Sequence, residues 1–181
     1  MSDETPAAVD AEAGASEASA SPEPETRHGA IVGDSRGQTV LFCTRENWVE
    51  VAEALRAEGY SSLVDLTAVD YLTYDAPRHL PAGIDPERFE VVAVVVDVAR
   101  ARRLRLRVQV PADDPRLPTL FDVWPGVENL EREVYDMFGI TFTDHPDLSR
   151  ILMPEDWIGH PLRKDHEIGR IPVQFKAPDA H

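Results

Sequence analysis

Two carboxylates, Glu131 and Glu133, flank Arg132, and Asp136, His145, His160 and His166 follow downstream. Paired acids near a histidine suggest hydrolysis, one carboxyl donating a proton while another activates water. If this stretch is helical, however, Glu131 and Glu133 are two residues apart and point in different directions. They cannot converge on one small substrate. His160 and His166 are six apart, with no His-x3-His pair or CxxC beside them, so the metal-binding signal is weak. Cys43 is the only cysteine. That excludes an intrachain disulfide and a four-cysteine zinc or iron–sulfur site built by this chain alone. No G-x-G-x-x-G or P-loop pattern is present, and no nucleotide site is indicated. His145 and His160 each precede a proline, which favours extended backbone there. Their rings are better suited to anchoring turns or neighbouring backbone.

The element that must position these groups is a helix over residues 127–139. At roughly 100° per residue, Val127, Leu130, Val134, Met137 and Phe138 gather on one arc, while Glu128, Arg132 and Asp136 gather opposite. Glu128 and Arg132 are spaced for an acid-first ion pair. Glu131 falls at the edge of the apolar arc, between Phe138 and Tyr135, and Glu133 at its other margin. A carboxylate turned toward a core must be paired or protonated. Glu131 therefore either reaches water or a backbone group, or belongs to a clamp. In the clamp, Glu131 or Glu133 pairs with Arg150 or Arg163, whose planar fork suits a carboxylate. Residues 141–165 hold three prolines among Phe142, Leu148, Ile151, Leu152, Met153, Trp157, Ile158 and Leu162. This spacing predicts an extended strap with little regular structure, laid across another surface. Part of it should cover the chain's own sheet, and part should mark an interface.

The remaining chain predicts a small α+β domain with a largely antiparallel sheet and helices on one face. Residues 1–28 are rich in Ala, Ser, Glu and Pro and read as a disordered acidic tail. Residues 29–140 read as the folded domain and 141–181 as an extended docking arm. Thr39–Cys43 is a short strand, and Thr44 caps a helix running from Arg45 to about Glu58. Trp48, Val49, Ala52 and Leu55 line its inner face, and Gly59 stops it. Leu63–Val69 alternates, with Leu63, Asp65, Thr67 and Val69 on one side and Val64, Leu66 and Ala68 on the other. Residues 73–88 and 111–118 are loops. Phe89–Val98 is apolar almost throughout and should be a central strand. It pairs with a strand carrying Leu104, Leu106, Val108 and Val110 inside and Arg103, Arg105, Arg107 and Gln109 outside. That basic row is either a solvated face or a docking strip for an acidic neighbour. A helical turn over 119–124 is stopped by Pro125 and Gly126.

Net charge is −15, and seven of the acids lie in residues 1–26, where there is no Lys or Arg. Without them 26 acidic residues stand against 18 basic ones, still an acidic surface and a poor match for nucleic acid. The most apolar run, Val91–Val96, is far short of the ~20 residues that a spanning helix needs. No secretory signal opens the chain. One cysteine fits a reducing compartment.

The 128–165 stretch resembles a known family. Glu131-Arg132-Glu133, Tyr135-Asp136-Met137-Phe138-Gly139-Ile140, Phe142, His145-Pro146-Asp147-Leu148, Arg150-Ile151-Leu152, Pro154-Glu155-Asp156-Trp157 and Gly159-His160-Pro161-Leu162-Arg163-Lys164-Asp165 are similar to the signature of the C subunit of bacterial NADH–quinone oxidoreductase, respiratory complex I. Relatives often carry Trp two residues before the Glu-Arg-Glu triplet, where this chain has Asn129. The resemblance implies a non-catalytic subunit without its own cofactor, FMN and iron–sulfur clusters residing on partner subunits. It implies binding to the D subunit, which holds the quinone site, and to neighbouring iron–sulfur subunits, with indirect, peripheral attachment at the cytoplasmic face of the membrane. The motif residues would then form a structural clamp that a partner reads. The equivalent subunit of a membrane-bound hydrogenase is the alternative within this group of complexes. A free-standing hydrolase using Glu131, Glu133 and His145 is the alternative outside it.

Overall fold

Near-continuous apolar character places Phe89–Asp97 in the sheet interior, and its burial on both faces follows from that. A computed structural model describes residues 24–167. The strands are β1 (Thr26–Arg27), β2 (Ala30–Ser35), β3 (Gln38–Cys43), β4 (Ser62–Asp70), β5 (Phe89–Asp97), β6 (Arg102–Val110), β7 (Arg116–Pro118) and β8 (Thr141–Thr143). The helices are α1 (Trp48–Glu58) and α2 (Glu128–Phe138). Six strands form one sheet in the order β1-β2-β3-β6-β5-β4. All neighbours are antiparallel except β3 and β6, which run parallel, Val40 opposite Arg105. The expected α+β class with a largely antiparallel sheet is therefore found. Among the described residues strand pairing starts at Thr26, just inside the stretch read as tail; residues 1–23 and 168–181 lie outside the described residues.

One apolar cluster takes Leu41 and Cys43 from β3, Leu63, Leu66 and Ala68 from β4, and alternate residues of β5 and β6. To these it adds Trp48, Val51, Ala52 and Leu55 of α1 and Val134, Met137 and Phe138 of α2. Two local expectations are corrected. The α1 helix begins at Trp48 with Asn47 as its N-cap, not at Arg45 with Thr44, and Val51 joins Trp48, Ala52 and Leu55 in full burial while Val49 packs half-buried against the core. The turn before the helix is closed reciprocally. The Thr44 N–H donates to Asn47 Oδ1 at 2.9 Å, and the Asn47 N–H donates to Thr44 Oγ1 at 3.3 Å, as in a capping box. In β4 a bulge between Leu63 and Asp65 breaks the alternation, so Leu63 and Leu66 both face the core and Val64 is exposed.

The opposite sheet face sets a charged network beside the buried side chains of Val40, Phe42 and Val94. Glu90 of β5 is buried and accepts Nε–H and Nη2–H of Arg107, each at 2.8 Å, together with Gln109. Loop 71–88 crosses above, with Arg78 stacked 3.8 Å from the Tyr71 ring centroid and bonded to Gln109 and the Glu87 carbonyl. Arg105 donates to the Ser35 carbonyl, and Arg103 is exposed. Most of the basic row thus finds partners within its own chain.

Two segments expected to be loop contain strand. Arg116–Pro118 pairs in parallel with Thr141–Thr143, the first residues of the strap. Phe142 is buried there, a burial worth about 2–3 kcal/mol for a large apolar side chain. The turn over 120–124 ends before Pro125 as expected, but Pro125 does not leave the chain irregular. It opens a 3-10 turn, Pro125–Val127, that feeds directly into α2, because proline's fixed φ suits a first helical position.

Candidate docking surface

The α2 sequence carries three sets of side chains, and each finds a different partner. Val134, Met137 and Phe138 enter the core as the helical spacing predicts. Glu131 enters it as well, with no exposed surface. Its carboxyl accepts the Leu120 N–H at 2.8 Å and contacts the Thr119 hydroxyl. Burial pushes this carboxyl up to about 7, against the pull of those two donors. The nearest basic group is His145, whose Nε2 lies 3.8 Å from Glu131 Oε2. That ring donates from Nε2 to the Glu128 carbonyl at 3.1 Å, and its Nδ1 accepts the Asp147 N–H at 3.1 Å. The arginine clamp expected at Glu131 or Glu133 is not formed. Glu133 is exposed and Glu131 faces a threonine. The hydrolase trio does not assemble either, since Glu131 and His145 are closed from solvent and Glu133 lies elsewhere.

The clamp exists one turn further on. Asp136, expected on the solvent side of the wheel, is fully buried beneath the strap. Its Oδ2 accepts three successive backbone N–H groups, from Ile151 at 3.1 Å and from Leu152 and Met153 at 2.8 Å. Its Oδ1 accepts Arg150 at 2.6 Å. Consecutive N–H groups around one oxygen make an anion nest. Burial alone would raise the Asp136 carboxyl, but the Met153 and Leu152 N–H groups, Arg150 and the Ile151 N–H outweigh it and hold it below the usual range. Arg132 turns from the expected Glu128 pairing to the Ser149 carbonyl and hydroxyl and the Arg150 carbonyl.

The strap then closes the end of the helix. The last carbonyls of a helix lack intrahelical donors. Here His160 Nδ1 donates to Asp136 O at 2.9 Å, the Leu162 N–H donates to Met137 O at 3.0 Å, and Arg163 donates to the carbonyls of Phe138 and Gly139. A cation at this terminus is also favoured by the helix dipole. Burial lowers both His160 and Arg163 from their ordinary values. Gly139 has φ 71°, and a Cβ there would lie 2.5 Å from His160 Nε2 and 2.6 Å from Arg163 Nη2. Gly139→Ala should therefore displace both side chains and lower stability by about 2 kcal/mol, combining left-handed strain with lost capping. Denaturant titration would check this; a loss under about 0.5 kcal/mol would show that the strap does not seat against Gly139.

Beyond the helix, the Lys164 N–H donates to Asp70 Oδ2 at 2.9 Å, and Arg88 bridges Asp70 and Asp165 at 2.9 Å each. Trp157 is half-buried, its indole tilted against His166 at 6.5 Å. Pro146 is exposed and Pro161 half-buried. Sequence patterning gives no sign of Asp70, Arg88, Thr119 or Ser149. None of them belongs to a local pattern, and only the fold reveals its partner. The seated strap turns another set outward: Leu152 is 58% exposed, Ile158 91%, and Ile151 and Leu162 are exposed beside them in sequence. Among the described residues no three His, Cys, Asp or Glu side chains gather as a metal-binding group, and no helix is long and apolar enough to cross a membrane.

Residues 41–171 match the family model described as the respiratory-chain NADH dehydrogenase 30 Kd subunit. NADH-quinone oxidoreductase subunit 5 of Thermus thermophilus is 47% identical over 151 residues, covering 81% of this chain and 70% of that protein. The NADH-quinone oxidoreductase C subunit of Herpetosiphon aurantiacus is 44% identical over 147 residues, 80% of each chain. A solved structure titled Nqo5 of the trypsin-resistant fragment (1-134) superposes with a TM-score of 0.59 at 41% identity, covering 66% of this chain and 90% of that one. A chain of the archaeal membrane-bound sulfane sulfur reductase shares the fold, with a TM-score of 0.59 at 19% identity, covering 84% of this chain and 90% of that one.

Proposed function

The chain belongs to the respiratory-chain NADH dehydrogenase 30 kDa subunit family, and from this we propose that it is a structural subunit of an NADH–quinone oxidoreductase. It performs no chemistry itself. Its outward strap face binds the D subunit, which holds the quinone site, and neighbouring iron–sulfur subunits, and electrons pass from FMN through clusters on those partners to quinone. It reaches the cytoplasmic face of the membrane only through them. The observation that carries this reading is the division of labour along the strap. Its polar backbone is consumed by Asp136, the α2 carbonyls and Asp70, while Leu152 and Ile158 are left in solvent. Apolar side chains held outward on a fixed backbone suit a partner's surface.

The test is the double substitution Leu152→Asp with Ile158→Asp. Both sites are exposed, so the folded chain should keep its stability within about 0.5 kcal/mol. Cluster-bearing subunits should no longer co-purify with it from solubilised membranes, since two buried anchors contribute about 1–3 kcal/mol each to such an interface. Undiminished co-purification would overturn the assignment of this face. Cross-links from Lys164 and Lys176 would identify the neighbours. The partners recovered also distinguish an NADH-oxidising complex from a membrane-bound hydrogenase, whose equivalent subunit is the second reading.

A further inference from the structure

We propose that the acidic segment 1–23 binds the basic end of this chain's own sheet, at Arg36, Arg103 and their neighbours, and keeps other polyanions off it. The segment holds Asp3, Glu4, Asp10, Glu12, Glu17 and Glu23, with no Lys, Arg or His.

The basic end is assembled from stretches far apart in sequence. Parallel pairing sets Val40 of β3 beside Arg105 of β6, so both strands start at the same end of the sheet. Antiparallel pairing of β5 with β6 brings Asp97 opposite Arg102 there. The last turn of α1 lies beside them, since Arg100 Nη1 donates to the Glu58 carbonyl at 3.3 Å. Arg36, Arg56, Arg100, Arg102, Arg103 and Arg105 gather as a result. The acids among them are already engaged. Asp97 is buried and takes both Arg100 at 3.0 Å and Arg102 at 2.7 Å, so one negative charge is shared by two arginines. Those two side chains stay 62% and 41% exposed, open to a further acid. Glu58 takes Arg27 and His28, and Asp34 accepts the Gly37 N–H of its own turn at 3.1 Å. Arg36 and Arg103 are exposed and form no ion pair among the described residues. On the strap side the bases are matched: Arg88 and Arg150 pair with carboxylates, and Arg132 and Arg163 donate to carbonyls. Positive charge left over at one end of a chain of net charge −15 attracts acids.

Where the chain enters the sheet decides which acids reach that end. β1 runs antiparallel to β2, with Arg27 opposite Ala30 and Thr26 opposite Ile31, and the Val32 N–H donates to the Glu25 carbonyl at 2.8 Å. Each step back along the chain is thus a step forward along β2, toward Ser35 and Arg36. Arg36 follows Val32 by only about 14 Å of strand. Ser35 is itself joined to the basic row, because Arg105 donates to its carbonyl at 3.1 Å. Segment 1–23 therefore meets the fold where the chain points at the basic end. Tethering holds its six carboxylates there at about millimolar effective concentration, well above that of a dilute free polyanion. The remaining surface repels them, since 26 acids stand against 18 bases once the seven acids of residues 1–26 are set aside.

Paramagnetic broadening of amide NMR signals in the full chain tests this. Burial pushes the Cys43 thiol up to about 12, so a nitroxide coupled to Ser16→Cys is the single label. The comparison is a variant whose six acids are changed to Asn or Gln, which keeps the tether and alters no described residue. At about 0.02 M salt, where screening is weak, residues 35–38 and 100–105 should broaden at least about threefold more in the acidic chain. About 1 M salt, where the Debye length is about 3 Å, should erase the difference, and so should Arg36→Glu with Arg103→Glu. Residues 163–165, tied to Asp70 at the opposite end of the sheet, should not change. Equal broadening with and without the six acids would mean that the tether alone brings the label near, and overturns the proposal. Broadening that arises only between labelled and unlabelled chains in a mixture places the segment on a second copy, and overturns it too. Heparin is the probe for exclusion. It should bind the neutralised variant at least about tenfold more tightly than the acidic chain, and Arg36→Glu with Arg103→Glu should abolish that gain. No gain, or a gain that survives those two substitutions, overturns the shielding of this end.

Discussion

Asp136→Ala should release the strap from the helix while leaving the sheet intact. The substitution removes the acceptor of three backbone N–H groups and leaves Arg150 with its ion-pair partner gone. Breaking a buried pair from one side typically costs about 3–5 kcal/mol, and orphaned N–H groups add to it. The loss should appear first as local opening of residues 149–165 rather than global unfolding, since the central strands hold their own contacts. Limited trypsin digestion reads this directly, because Arg150, Arg163 and Lys164 all lie in the strap. Cleavage at these sites should accelerate by orders of magnitude in the variant. Asp136→Asn keeps an acceptor but loses the charge, and should fall between. Because the Asp136 carboxyl is held below its ordinary value of 3.8, its contribution is present above that value and lost as pH falls through the lower folded one. An unchanged digestion pattern in Asp136→Ala would show that the strap is held elsewhere.

The second large effect is expected on the far side of the sheet. Glu90→Ala removes the buried carboxylate on which Arg107 and Gln109 converge, with Arg78 at 3.5 Å. The two arginines are 20% and 12% exposed at the side chain and would be left largely without a counter-charge. A destabilisation of about 3–5 kcal/mol follows, read as a lower denaturation midpoint with an unchanged slope. Loop 71–88 should open with it, since Arg78 ties that loop to Gln109 and Glu87. Glu90→Gln, which can still accept one guanidinium, should lose less. A fall below about 1 kcal/mol for Glu90→Ala would mean that water satisfies these arginines and that the loop is not held by them.

Sequence alone reveals whatever depends on one partner surface. The β5 run and the alternating β6 run predict a central antiparallel pair because a single hydrophobic pattern decides each. The apolar face of α2 follows from spacing alone, and Gly59 ends α1 with a left-handed cap as its position suggests. The reading fails where a residue answers to two surfaces. A helical wheel assigns Asp136 to solvent because it knows one buried side, whereas α2 is covered by the core on one side and the strap on the other. Glu131 stands out as anomalous, but arginines are its expected partners, and no local pattern distinguishes those from Thr119. The strap's extended path is legible in its prolines. That its first three residues pair with Arg116–Pro118 is not, because three-residue strands carry too little periodicity to register.

The parallel junction between β3 and β6 has a consequence for synthesis. The two strands are separated by the whole of α1, β4 and β5, with Val40 meeting Arg105. At about 5–20 residues per second, a ribosome delivers β6 roughly 3–13 s after β3. Throughout that interval the edge of β3 that β6 later fills has no partner strand, and an unpaired edge is prone to pairing with the wrong chain. The sheet becomes one structure only when β6 arrives, already able to hairpin with β5, and bonds both halves at once. The nascent chain thus passes through a vulnerable interval set by topology, and that interval is where a chaperone would matter most.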